Sequence, residues 1–242
     1  MRALAALALI AATTIACGVN GWFQQYEYEE DIYLSLDGTA TVYVSASVPA
    51  LDALRGASFD LRPAAQVDRA AIRQYFSTAV TRSPSASTFR RSGRRFVHVR
   101  VEVDDVRRLG EAAPFAWSSY RFVREGNLYL YHQIVGASAA KDVGTVGWNG
   151  SELVAFRLHL PSKITEHNAL PGNFKRGNIL VWEQRLSDRL RGVPLTMDAR
   201  MATQSILYRT LWLFVATFVA VTVGFVLVIW WVMRRGKNGE MG

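Results

Sequence analysis

The sequence predicts an α+β fold: a mostly antiparallel, curved sheet of consecutive hairpins with one or two packed helices, then one C-terminal transmembrane helix. Three observations carry this. Runs of alternating apolar and polar residues recur on either side of Gly-containing turns, the mark of hairpins in series. Helical spacing is confined to short stretches, the clearest before residue 80. An uncharged run, Leu211 to Met233, stands near the C-terminus. The 242 residues are 50% hydrophobic, which excludes a disordered chain because enough surface can be buried to offset the ordering entropy. The mean hydropathy is close to zero, which excludes a polytopic membrane protein. One cysteine excludes an internal disulfide and any cysteine-based metal cluster.

Taken in order, Ile32, Leu34 and Leu36 alternate with Tyr33 and Ser35, and Thr39 to Ser45 resumes the period of two after Asp37-Gly38. Two such runs around Asp-Gly read as a hairpin with a type I′ turn. Pro49 opens a short helix that stops at Gly56. Asp68 caps a second, running to about Ala79, with Ile72, Tyr75, Phe76 and Ala79 on one face. Thr81 to Thr88, Ser-rich with Pro84, reads as a loop. Phe89 to Val103 reads as a hairpin turning at Ser92-Gly93, and a short helical turn follows at Asp104 to Leu109. Trp117 to Val123 and Leu128 to Val135 make a third hairpin. Gly136 to Gly150 reads as a mobile loop. Leu153 to Leu160, Asn178 to Gln184 and Leu195 to Met201 read as strands.

The two ends define topology. Met1-Arg2, the apolar run Ala3 to Ile15, and small residues at Ala16-Cys17-Gly18 make a secretory signal over residues 1–16. Two readings of its exit stand. Thr14-Ile15-Ala16-Cys17 resembles a lipobox, with Thr14 where Leu is usual, which makes Cys17 a lipid-attachment site; ordinary cleavage after Ala16 leaves Cys17 a free thiol. At the other end, residues 209–233 form the transmembrane helix. Leu211 to Met233 gives about 34 Å of helix, enough to cross a bilayer. Trp212, Trp230 and Trp231 suit the two interfaces, and Arg234, Arg235 and Lys237 place the tail, residues 234–242, in the cytoplasm. Residues 17–208 then form an exported α+β domain. Setting aside Arg2, Arg209, Arg234, Arg235, Lys237 and Glu240 leaves 23 basic and 19 acidic residues of the chain's 28 and 20. A charge near +4 removes the main support for nucleic-acid binding.

The search for chemistry yields little. There is no Gly-x-Ser-x-Gly elbow, Walker loop or His-Glu-x-x-His. His98, His132 and His159 fall in strands among apolar neighbours and read as structural, so no metal and no cofactor is expected. Glu29, Glu30 and Asp31 are an acidic run suited to a cation or to acid–base work, and suited better to a solvated strand end. Arg90, Arg91, Arg94 and Arg95 crowd one turn. They read either as a solvated loop or as a contact for an anion or membrane headgroup that screens their repulsion. Tyr120 to Phe122 and Leu128 to Tyr131 either line a lipid-sized cavity or form ordinary core.

The most distinctive stretch runs Pro161, Lys163, His167, Asn168, then Gly177, Asn178 and Trp182. It reads as a strand ending at proline, a loop carrying His-Asn, and a turn into a strand bearing Trp. Side-chain-to-backbone hydrogen bonds from Asn168, alone or with His167, pin its tip. Here the chain resembles the LppM-like lipoproteins of bacterial envelopes, in its overall architecture and, residue by residue, from Pro161 to Trp182. The resemblance implies a sheet-and-helix envelope domain that binds lipids or glycolipids, and supplies no catalytic residues. The function expected is therefore non-enzymatic: a domain at the cytoplasmic (inner) membrane of a bacterium, single-pass, with its body outside the cytoplasm. Its expected partners are membrane lipids and an amphipathic envelope ligand. The alternative is a structural or assembly protein that recruits another envelope protein.

Overall fold

A computed structural model describes residues 24–62, 64–169, 174–175 and 178–238. The signal over residues 1–16, Cys17 and Gly177 lie outside them. Among the described residues the strands form two sheets, which with three short helices and one long C-terminal helix make an α+β fold. The larger sheet has the order β3-β4-β2-β1-β7-β10-β9, from Tyr26–Leu34 (β1), Ala40–Ser47 (β2), Thr81–Arg91 (β3), Arg94–Val103 (β4), Leu153–His159 (β7), Phe174–Lys175 (β9) and Ile179–Arg185 (β10). The smaller has the order β5-β6-β11-β8, from Ser118–Glu125 (β5), Leu128–Val135 (β6), Ser162–His167 (β8) and Leu195–Ser205 (β11). Pairing is antiparallel except between β1 and β7. That one parallel junction exists because the chain leaves the large sheet after β4, builds the β5–β6 hairpin, and returns beside β1.

The core lies between the sheets. Ile32 and Leu34, Val42 and Val44, the valines at 97, 99, 101 and 103, and Phe156 and Leu158 supply the large sheet's inner face. Tyr120, Phe122, Tyr131, Met197 and Met201 supply the small one's. Tyr120 and Phe122 are thus core, and Tyr131 is buried with them while also bordering the open cleft on the outer side of the small sheet. Helix α1 (Val48–Arg55) is capped by Ser47 and ends at Gly56, whose φ of 69° needs glycine. Helix α2 (Arg69–Phe76) starts at Asp68, whose carboxylate accepts the Ala70 and Ala71 N–H groups. It stops short of the expected Ala79 because the Thr78 and Thr81 hydroxyls bond each other and Thr81 Oγ1 donates to the Phe76 carbonyl.

Several local expectations are corrected. The first turn is not type I′: only Gly38 has positive φ, its N–H bonds the Ser35 carbonyl, and the Asp37 carboxylate accepts from Thr39. Residues 81–88 are strand, not loop. Pro84 is tolerated because β3 is an edge strand and the register slips between Arg82 and Ser85, so the missing N–H falls in a bulge. The segment after Pro161 is likewise strand, paired to β11. Residues 136–150 are irregular but tied down: Ala139 and Lys141 donate backbone bonds to the Leu54 and Ala53 carbonyls, and Trp148 donates to Glu27.

After the short helix α3 (Leu186–Leu190), strand β11 leads into helix α4 (Ile206–Asn238) with no residue between them. From Ile206 to Arg234 it is long and apolar enough to cross a membrane, and no residue of its most apolar stretch is buried among the described residues. Trp212, Trp230 and Trp231 are about half exposed on it, and the Arg234 guanidinium lies 5.0 Å from the Trp230 ring.

Candidate functional site

Strand alternation sends every second residue of the small sheet outward. On that outer face Arg121, His132 and Asp198 stand in register across β5, β6 and β11. The next row carries Arg200 opposite Glu166. His132 Nδ1 is 2.6 Å from Asp198 Oδ1, and Arg200 pairs with Glu166 at 2.9 Å. With His167 and Asn168 these groups line an open cleft of about 360 Å³.

Asn168 closes one wall and joins the two sheets. Its Oδ1 accepts from the Asp198 N–H at 2.8 Å and from Trp182 Nε1 at 2.9 Å, and its Nδ2 donates to the Thr196 carbonyl at 3.0 Å. Trp182 is buried on β10 of the large sheet, whereas Asp198 and Thr196 belong to the small one. A single amide therefore fixes the cleft wall to the opposite layer. Asn178, at φ 61°, donates its Nδ2 to the Ser162 carbonyl. Pro161 accepts from the Ile206 N–H at 3.1 Å. Lys163 is exposed on β8 beside the start of α4. The distinctive stretch thus serves three places: the sheet junction, the cleft, and the foot of the helix.

The arginine turn is dispersed by the same alternation. Arg94 pairs with buried Glu27 at 2.8 Å and donates to the Gly147 carbonyl. Arg91 reaches Glu29 at 3.6 Å and lies over the Phe96 ring. Arg95, 7% exposed, points the other way and donates to the Ala65 and Asp60 carbonyls. Arg90 sits opposite Arg95 in the ladder. Arg91, Arg94 and Arg95 thus each have a carboxylate or carbonyl partner within the protein, while Ser92 and Gly93 at the tip of the turn are exposed.

The acidic run is also not a solvated strand end, because β1 is central in its sheet, with Glu30 in the core and Glu29 and Asp31 only partly exposed. Glu29 and Asp31 face outward to Arg157, at 2.8 and 3.4 Å. Glu30 faces inward, fully buried, and pairs with Arg55, whose side chain is 2% exposed. Tyr28 donates to Glu30 at 2.8 Å, and Arg55 lies 3.6 Å from the Trp117 ring centre. A second buried arginine, Arg189, lies 5.0 Å from that ring and is held by the carbonyls of Gly136 and Val193 rather than by a carboxylate. Burial, reinforced by the nearby Arg55 charge, pulls its pKa down to about 10. Nothing in the sequence reading foresaw this interior network.

Among the described residues no group of three or more His, Cys, Asp or Glu is placed to hold a metal ion. His98 stacks on Tyr43 and His159 on Tyr33. The fold and the uncovered helix define the class: an α+β domain carrying one helix long and apolar enough to span a bilayer. Among solved structures, the folded domain of the Mycobacterium tuberculosis LppM protein is similar to this chain, with a TM-score of 0.43 and 16% identity over 76% of this chain and 95% of that one. No family model and no curated protein matches the chain.

Proposed function

We propose that this chain is a membrane-anchored, non-enzymatic domain of a bacterial envelope that binds the polar head of an amphipathic ligand, a lipid or glycolipid. The observation that carries this reading is the position of the cleft on β11, the strand that continues directly into α4. Its outward groups alternate donors and acceptors: Arg121, Arg200 and His132 among Asp198, Glu166 and Asn168. Such a set suits a hydroxyl-rich head better than an acyl chain. Scale sharpens this. From Asp198 to Ser205 the strand spans up to about 23 Å, well beyond a headgroup layer of roughly 5–7 Å. An extended glycan head meets that distance where a bare phosphate does not. The sequence resemblance from Pro161 to Trp182 supports an envelope role, and the signal and Cys17 support export.

The test is mass spectrometry of lipids retained by the full chain purified in mild detergent, compared with His132→Ala and Arg200→Ala. Both side chains are accessible, so neither change disturbs the core. A glycolipid enriched over bulk membrane and lost in the variants is expected. Lipids in bulk proportion, with a stoichiometric crosslinked protein instead, overturn the reading in favour of an assembly role.

A further inference from the structure

We infer that Lys163 binds the phosphate groups of membrane lipids at the foot of α4, an anchoring contact separate from the cleft. The proposal rests on the reading of α4 as a membrane span.

The foot of the helix is a fixed joint. The Ile206 N–H donates to the Pro161 carbonyl, Ser205 stands opposite Ser162 in the ladder, and the Ser205 hydroxyl accepts from the Leu207 N–H. Strand β8 therefore starts where the helix starts, and Lys163 is its second residue. Beside this joint is an open hollow of about 370 Å³, lined by Lys163, Asn127, Thr203, Gln204 and Ile206 together with Ala202. None of these residues is acidic. The Lys163 ammonium has no hydrogen-bonding or ionic partner among the described residues. Two arginines on the outer face of the same sheet differ: Arg121 pairs with Glu125 and Arg200 with Glu166.

Depth places the hollow at lipid phosphates. The uncharged run opens at Leu211, so Ile206 stands five residues, or about 7.5 Å, outside it. The interfacial layer adds roughly 5–7 Å to each side of the hydrocarbon. Ile206 thus stands at the outer edge of the headgroup layer, and the flexible four-carbon stem of Lys163 lets its ammonium reach down to the phosphates from there, among neutral hydrogen-bonding groups that suit a phosphate oxygen.

The test follows acetylation of Lys163 in the full chain, read by peptide mass spectrometry, with Lys141 as internal reference. Lys141 serves because its ammonium is held by Asp52 and the Ala57 carbonyl, away from the helix. The chain is placed in maltoside micelles, which carry no phosphate, and in phospholipid discs containing phosphatidylglycerol. An attraction typical of one lysine at an anionic surface slows labelling about fivefold in the discs. In 1 M salt, where the screening length falls to about 3 Å, the rate recovers. Equal rates in both media overturn the proposal, as does a slowing that salt does not reverse, which is mere steric cover. Equal protection by inorganic phosphate added to micelles overturns the lipid source. Release of the chain from the discs by alkaline washing removes the membrane reading itself and is distinguishable from these outcomes.

Discussion

Replacing Glu30 by Gln tests whether the interior charge network organises the fold. The change keeps the shape and removes the carboxylate facing Arg55, leaving that guanidinium buried near Trp117 with Arg189 as a like-charged neighbour. Breaking a buried pair from one side costs about 3–5 kcal/mol, because the remaining charge has no water to turn to. Against a typical domain stability of about 5–15 kcal/mol this is a large fraction. With a urea slope of about 2 kcal/mol per molar, a loss of 4 kcal/mol lowers the midpoint by about 2 M. The assay is urea unfolding of the full chain in mild detergent, followed by tryptophan fluorescence, to which Trp117 contributes from the site itself. Removing both partners, Glu30→Leu with Arg55→Met, is expected to recover at least half the loss, since the stranded charge is gone. Adding Tyr28→Phe recovers more, because the Tyr28 hydroxyl otherwise loses its acceptor. A single-variant loss under about 1 kcal/mol, or a double variant as weak as the single, refutes the reasoning.

Asn168→Ala removes the shared acceptor of Trp182 Nε1 and the Asp198 N–H and is expected to cost about 2–3 kcal/mol. Amide exchange should quicken across β8 and β11 and stay unchanged in β1 to β4; uniform change contradicts the local role. Arg94→Gln strands fully buried Glu27 and is expected to cost about 3 kcal/mol while leaving lipid retention unaltered. The opposite pattern, normal stability with lost lipid, would return the arginine turn to a headgroup role. Burial holds the Tyr28, Tyr120 and Tyr131 phenols well above their usual range. Unfolded tyrosines lose their protons near pH 10. Above that pH the unfolded state therefore binds fewer protons than the folded one, and stability falls as pH rises. Arg189, lowered to about 10, works in the opposite direction, but one guanidinium stands against three phenols. An ultraviolet titration in which these phenols ionise only as the chain unfolds is expected; smooth ionisation near pH 10 without unfolding contradicts it.

The alternating runs made the α+β class legible, since Ile32, Leu34 and the valines of β4 needed only the period of two. The same rule held the clue to the interior network. Glu30 has the parity of Ile32 and Leu34, so extending their alternation two residues back puts a carboxylate in the core. Charge class obscured it: three acids in a row look like a solvated strand end when the strand's central place is unknown. Strand β3 was hidden for a related reason, because Ser and Pro84 signal a loop unless a bulge at an edge absorbs the proline. The cleft was illegible for another. His132, Asp198 and Glu166 come from three strands far apart in sequence, and only register brings them into adjoining rows.

The same contrast separates the arginine turn from Asn168. Local density of one residue type says nothing about facing: Arg91 and Arg94 go to one side of their hairpin, Arg95 to the other, and each meets protein acceptors. The amide of Asn168 has fewer options, because its backbone N–H is committed to the Asp198 carbonyl and its side chain must bond whatever crosses there. What crosses is Trp182 from one sheet and β11 from the other. Since β11 also carries the cleft and continues into α4, a disturbance at Asn168 should reach the cleft through Asp198, its direct hydrogen-bond partner, before it reaches the helix foot held separately by Pro161.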